Sequence, residues 1–509
     1  MNRREPEQLV AASTWCVHPW ISESYPRKVP RRSVRLTVPG DDLRAVFADI
    51  RAKIGIPESF AAEVLDEAAA AATAPSLPDA DLTDVPFVTI DPPGSRDLDQ
   101  ALHLESRPRG AFRLRYAIAD VAAFVRPGGA VDVEAHRRAE TAYSPDHRAL
   151  LYPPVLSESA ASLMPSGPRP AIVWQIDVNA DGQPDDVVVS RATVESRAKL
   201  SYAEVQSALD AGTADPMLAI LPRIGQVLQE AERDRGGSSL NVPRQEVVSS
   251  RTGYDLSFEA PLRVEGWNAQ LSLLTGRAAA ELMLRGGVGI LRTMPAPEPR
   301  EVNRLRRVAV GLGIDWPPER PYAKLLQMLD ARGSEADAVF LQEATVLFRG
   351  ASYEAFDGAA PDERTHAAVA APYAHVTAPL RRLVDRYALE TCLAIASGVA
   401  VPAWVKDTLP RLPDEMREGV DRGNRLERSI VDAVEAAVLA PVVGREFDAL
   451  VVDLWKGGRG EVTIRSPAVI GPCDGATQLG ARVRVRLDEA DLAKRTIRFT
   501  QVSRSGAEH

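Results

Sequence analysis

FVTIDPPGSRDLDQAL, residues 87 to 102, decides how the rest of this chain is read. A β-branched run (Val88, Thr89, Ile90) delivers Asp91, the segment Pro92-Pro93-Gly94-Ser95 turns the chain, and Asp97 and Asp99 follow. Residues two apart in an extended segment point to the same side, and Pro and Gly at these places favour a turn that folds Asp91 back beside the pair. Three carboxylates therefore converge within nine residues. Like charges so close repel, and a cation is the usual remedy. A set with neither His nor Cys favours a hard, oxygen-loving ion, Mg2+ with Mn2+ as its substitute. Taken alone, the stretch also fits an acidic surface turn ahead of the next element.

Composition narrows the setting. The chain has 509 residues, 45% of them hydrophobic, enough for roughly two to four domains with real cores. Its net charge of -9 excludes a protein that is basic all over, so any nucleic-acid site has to be a local basic channel. Three cysteines (Cys16, Cys392, Cys473), far apart and without a CxxC pair, argue against a disulfide framework and a structural zinc site. They fit a reducing, cytoplasmic location. No apolar run reaches transmembrane length, so no membrane partner is expected, and nothing demands more than a monomer.

Outward from the opening stretch, residues 1–80 read as an N-terminal region. A basic arm (Arg27, Lys28, Arg31, Arg32, Arg35) precedes helical periodicity from Asp41 to about Ala72, carried by Leu43, Val46, Phe47 and Ile50. Residues 81–440 read as one mixed α/β unit. Strands are expected over 112–125, 171–178 and 187–194, a serine-capped helix over 201–209, a long alanine-rich helix over 269–291, and a further helix from Leu380 to Ile395. Residues 441–509 differ in kind: four short β runs separated by Gly, Asp and Lys turns predict a small closed barrel of OB type. Within it Arg482, Arg484 and Arg486 alternate with Val483, Val485 and Leu487, which predicts an apolar core face and a basic face that tracks phosphates.

Five segments carry a resemblance. They are DLTDVPFVTIDPPGSRDLDQAL (residues 81–102), IADVAAFVRPGGAVDVEAHRRAETAYSP (118–145), LSESAASLMP (156–165), AKLSY (198–202) and HAAVAAPYAHVTAPLRRLVD (366–385). In that order they resemble the catalytic domain of the ribonuclease II and ribonuclease R family, the RNB-domain exoribonucleases. The resemblance implies an α/β (α+β) catalytic domain with a central sheet and surrounding helices, followed by an RNA-binding OB barrel. With some eighty residues of helical pattern ahead of Asp81, it implies a short form lacking the family's two N-terminal cold-shock barrels.

The implied activity is hydrolytic removal of nucleoside 5′-monophosphates from the 3′ end of single-stranded RNA, with Mg2+. By the same resemblance Asp91, Asp97 and Asp99 hold the metal, Asp99 being the most rate-critical. Tyr143 stacks near the terminal nucleotide, Arg381 contacts the scissile phosphate region, and Arg382 is its neighbour on the RNA. Such residues suit the chemistry, because a phosphodiester is an anion whose attack by water needs charge neutralised and water ionised. Two positions depart from the family pattern. Gln100 stands where a fourth aspartate is usual, offering an amide oxygen as ligand without its charge, and Gln270 stands where a glutamate usually meets the RNA. Alanines, Ala117 and Ala123, replace histidines common around IADV. These changes keep a second reading open, a catalytically weak or silent RNA-binding protein on the same fold.

Overall fold

The structure, a computed structural model, describes residues 40–502 apart from 76, 239–243, 251–252, 260, 330–333 and 465–468. The basic arm expected from Arg27 to Arg35 lies outside the described residues. In chain order the first elements are α1 (Gly40–Ile54), α2 (Ala62–Thr73), β1 (Phe87–Asp91), β2 (Gln100–Ser106), β3 (Phe112–Ala119), α3 (Ala130–Arg138), β4 (Ala142–Ser144), β5 (His147–Ala149), β6 (Arg169–Val178), β7 (Pro184–Val194) and β8 (Ser196–Ser201). Then come α4 (Tyr202–Asp210), α5 (Leu221–Asp234), β9 (Arg244–Ser250), β10 (Gly253–Glu259), α6 (Arg263–Gly286), β11 (Val288–Thr293), α7 (Pro299–Leu312), α8 (Tyr322–Met328), α9 (Glu335–Ala344), β12 (Ser352–Asp357), α10 (Leu383–Ala396), α11 (Ala403–Lys406) and α12 (Leu412–Leu439). The last five strands are β13 (Glu446–Trp455), β14 (Arg459–Ile464), β15 (Val469–Asp474), β16 (Arg482–Asp491) and β17 (Thr496–Gln501).

Six strands form the central sheet in the order β7-β6-β3-β2-β1-β8. Every pairing is antiparallel except that of β1 with β8, which is parallel. A strand covered on both faces reads as a continuous apolar run rather than an alternating one. β1 does so: Phe87, Val88, Thr89 and Ile90 are all buried, in one core with Leu271 and Leu274 of α6 and Leu383, Tyr387 and Leu389 of α10. Ser201 caps α4 as expected, its hydroxyl accepting from Glu204 N–H while the Glu204 carboxylate reaches back, a reciprocal capping box.

Three expected elements end or begin elsewhere. The strand from Phe112 stops at Ala119, because Asp120 leaves the extended region and its buried carboxylate pairs with Arg191 at 2.5 Å. The long helix ends at Gly286, capped by Gly287 in the left-handed region (φ 70°), and the apolar residues beyond it are strand β11. The helix expected from Leu380 starts only at Leu383. There the Asp385 carboxylate accepts from Ala378 N–H at 2.7 Å and takes the Arg382 guanidinium in a two-pronged pair at 2.8 and 2.9 Å, holding 378–382 in a non-helical turn.

At the C-terminal end β13-β14-β15-β17-β16 close into a barrel. The fifth strand, β15, is one more than the four β runs expected, and it carries Gly471 and Pro472, residue types that favour turns. A Cβ at Gly471 would meet Ile497 Cδ1 at 2.7 Å and Phe499 Cε2 at 3.1 Å, so a larger residue there would have to displace these side chains. Along β16 Val485 and Leu487 are buried and Arg482, Arg484 and Arg486 are exposed, the alternation the sequence predicts. The outer face is less basic than the arginines alone suggest, because acids of β13 and of β16 itself lie beside them. Arg484 pairs with Asp448 at 3.0 Å and Glu446 at 3.4 Å, and Arg486 with Asp488 at 2.8 Å.

Candidate active site

The carboxylates of the opening stretch sit where β1 leaves the sheet and β2 returns to it. Ser95 N–H bonds to Pro92 C=O at 3.2 Å, closing a turn with Gly94 at φ 85°, a conformation glycine adopts freely. The return limb is clamped by Ser162 of LSESAASLMP. Its hydroxyl donates to Arg96 C=O at 2.6 Å and accepts from Leu98 N–H at 3.0 Å, while Leu163 N–H bonds to Leu98 C=O at 3.0 Å. One motif thus fixes the backbone of the other.

Asp99 is 4% exposed. Its Oδ1 accepts from Leu380 N–H at 2.7 Å and its Oδ2 from Arg381 Nε at 3.1 Å. Burial pushes the Asp99 carboxyl up to about 7, against the opposing pull of Arg381 and with a further push from Asp97. Asp91 is pushed up to about 7 in the same way: burial first, then Arg381 opposing and Asp97 adding. Arg381 responds in kind; burial opposes its charge, but Asp99, Tyr143 and Asp97 hold the guanidinium more firmly protonated than usual. Its side chain keeps 30% of its surface, so the cation faces outward while anchored to Asp99.

Tyr143 is carried by the β4–β5 hairpin, opposite Arg148. Arg51 of α1 ties that hairpin down through Asp146 at 2.7 Å and Ser144 at 2.8 Å. Burial raises the Tyr143 phenol, and the charges of Asp97 and Asp99 add to it. Arg148, which the sequence did not single out, bridges Asp97 at 3.3 Å and Glu158 at 2.6 Å. Its cross-strand register with Tyr143 was the one signal available. Tyr116 was missed as well: its hydroxyl donates to Gln100 Oε1, so the amide oxygen is engaged from within the sheet.

The structure gathers Asp91, Asp97, Asp99, Tyr143 and Arg381 into one electrostatically coupled set. Arg382 turns inward to Asp385. Gln270 is buried and donates to Glu232 of α5 at 2.8 Å. Arg482, Arg484 and Arg486 stand on the barrel surface.

Among the described residues no three His, Cys, Asp or Glu side chains form a ready-made metal cage. The donor chemistry nevertheless suits a hard cation. Asp91 Oδ2 is buried with no hydrogen-bond partner, and two carboxyls are held near 7 by burial beside a third. A cation is the partner such oxygens lack.

Comparison with known proteins places this geometry. The RNB domain matches residues 79–394 and the RNase II-type exonuclease C-terminal S1 domain matches residues 445–502. Exoribonuclease 2 of Photorhabdus laumondii is 30% identical over 399 residues, covering 74% of this chain and 60% of that protein. Ribonuclease R of Escherichia coli is 27% identical over 474 residues, covering 83% and 57%. The chain thus spans about 60% of the length of these curated relatives. A solved structure of Mycoplasma genitalium RNase R with ribose-methylated single-stranded RNA superposes with a TM-score of 0.80 at 20% identity, over 91% of this chain and 78% of the other. Yeast Ssd1, a pseudonuclease, superposes with a TM-score of 0.66 at 16% identity, over 84% and 53%. At these identities the superpositions speak for the fold alone. The RNB domain covers more than half of the sequence, from the strand that delivers Asp91 through the helix that follows Arg381, and the chain belongs to the RNB family of exoribonuclease 2 and ribonuclease R.

Proposed function

We propose that this protein is a metal-dependent exoribonuclease that shortens single-stranded RNA from its 3′ end and releases nucleoside 5′-monophosphates, acting in the cytoplasm as a monomer. The observation that carries the reading is the anchoring of Arg381 on Asp99 within the set formed with Asp91, Asp97 and Tyr143. Asp91, Asp97 and Asp99 would hold Mg2+, with Mn2+ as a substitute. Bound there, the ion supplies charge neutralisation on the phosphoryl oxygens and a water ionised at neutral pH.

The side chains provide the rest. Arg381 spends only its Nε on Asp99, leaving both Nη groups without a hydrogen bond among the described residues and able to meet the phosphodiester as charge develops on it. Leu380 N–H keeps Asp99 in place whichever proton state it adopts. Tyr143 offers an aromatic face that accepts any base, which suits removal of nucleotides without regard to sequence.

One observation favours a second reading, a silent RNA-binding protein. Gln100 brings no charge and its oxygen is taken by Tyr116, so one anionic ligand fewer faces the site. The two readings separate on RNA labelled at its 5′ end and incubated with Mg2+. Stepwise shortening with mononucleotide release supports the nuclease; binding without shortening supports the silent protein.

A further inference from the structure

α5 and α6 run side by side in the same direction. A Cβ on Gly225 would meet Trp267 at 2.3 Å, and further along both helices Gln270 Nε2 donates to Glu232 Oε2 at 2.8 Å. Beyond that contact each element presents an arginine to the seam: Arg235 just past the end of α5, and Arg277 two turns after Gln270 on the same face of α6.

Arg277 is 6% exposed, and among the described residues it makes no hydrogen bond, its Nε being buried without a partner. Arg235 is half-buried; it donates from Nη1 to Ala231 C=O at 3.0 Å, but its Nε is likewise buried without a partner. Burial first, and then the neighbouring Arg277, pull the Arg235 guanidinium down to about 10. The acids facing the pair are Glu232, which accepts from Gln270, and Glu281, exposed one turn beyond Arg277. Neither makes an ion pair with Arg235 or Arg277.

Glu232 and Glu281 lie near enough to favour both charges, but neither forms a contact ion pair, and a desolvated guanidinium left without one is costly, the more so beside a second. The group that relieves both is an oxyanion with several acceptor oxygens, and the fork of a guanidinium matches phosphate. The seam also adjoins the segment that bears Arg381, since Ser272 Oγ of α6 lies 2.7 Å from Thr377 Oγ1 and Gly276 backs onto Tyr373. We propose that Arg235 and Arg277 form a phosphate-binding site at the α5–α6 seam, distinct from the carboxylate centre, filled by a backbone phosphate of RNA or by free phosphate. Only the RNA arm of this proposal rests on the nuclease reading.

The test uses the full chain and Arg277→Met. Inorganic phosphate, compared with chloride at equal ionic strength, should raise the melting temperature of the wild type by roughly 2 °C or more. Arg277→Met should lose that response and melt no lower than wild type without phosphate, being relieved of a buried unpaired charge. Arg235→Met, on the more exposed side, carries the same test should Arg277→Met fail to fold. Single-stranded RNA binding, measured without divalent ions, then separates the sources. A salt dependence shallower by about 0.7 in the log–log slope assigns the site to an RNA phosphate. An unchanged slope with the thermal response intact in wild type assigns it to free phosphate. Equal melting in phosphate and chloride, or a variant that keeps the wild-type response, overturns the site. Failure of the nuclease reading would leave the phosphate response untouched.

Discussion

Arg381 Nε sits 3.1 Å from Asp99 Oδ2 while Leu380, the residue before it, donates its N–H to Asp99 Oδ1 at 2.7 Å. One short turn thus grips both oxygens of a buried carboxylate and presents a cation beside it. Arg381→Ala should lower kcat by about 10²–10³, the range seen when one charge-stabilising donor is removed. It should also destabilise the fold by about 1–3 kcal/mol through the acceptor left unsatisfied. Arg381→Lys keeps the charge without the fork and should recover stability better than rate. Single-turnover kinetics and thermal melts check the split.

Tyr143 is held by a hairpin that α1 secures through Arg51 and that Arg148 ties to Asp97. Tyr143→Ala should lengthen the smallest end product of RNA digestion, and Tyr143→Phe should leave it unchanged, because stacking needs the ring and not the hydroxyl. Product lengths on a sequencing gel decide between the two.

Gln100 accepts from Tyr116 at the head of β2, directly after Asp99. Gln100→Asp adds a carboxylate beside three others and should tighten Mg2+ binding roughly tenfold, equivalent to about 1.4 kcal/mol. Calorimetric titration of Mg2+ into wild type and variant measures this directly; equal affinities would show that position 100 does not face the metal.

Much of this site was legible because it is local. The turn and the three aspartates occupy nine consecutive residues, and β6 and β7 declared themselves by apolar runs on either side of an Asn-Ala-Asp-Gly turn. What stayed hidden depends on distant partners. β2 and β8 are polar segments made into strands by pairing with neighbours. Arg148 and Tyr116 enter only when strands bring them across. Most telling is the delayed start of α10: Asp385 holds 378–382 out of the helix, and that is what frees Leu380 N–H to reach Asp99. A helical periodicity count favours the longer helix and misses the contact.

His366 is 6% exposed and packs edge-on against Tyr373 at 5.7 Å. Burial, with Arg292 adding, pulls its imidazole down to about 4. The unfolded chain takes up that proton near the ordinary value of about 6.5, so the folded state binds fewer protons in between. The stability this depression confers is present above pH 6.5 and lost as pH falls toward 4, on the order of 2–3 kcal/mol. Urea melts of wild type and His366→Asn should therefore converge as pH drops through this window; a constant gap would contradict the assignment.

The central claim is that Asp99 does chemistry while the rest of the chain grips RNA. Its most direct test is Asp99→Asn, assayed for mononucleotide release with Mg2+ and, in parallel, for binding to single-stranded RNA. The amide keeps the volume of the side chain and its oxygen can still accept from Leu380 N–H, but its NH2 turns a donor toward Arg381 Nε, so the fold should lose about 1–3 kcal/mol while RNA affinity stays near wild type and release falls below detection. Release at the wild-type rate, or loss of binding in step with loss of release, would contradict the account.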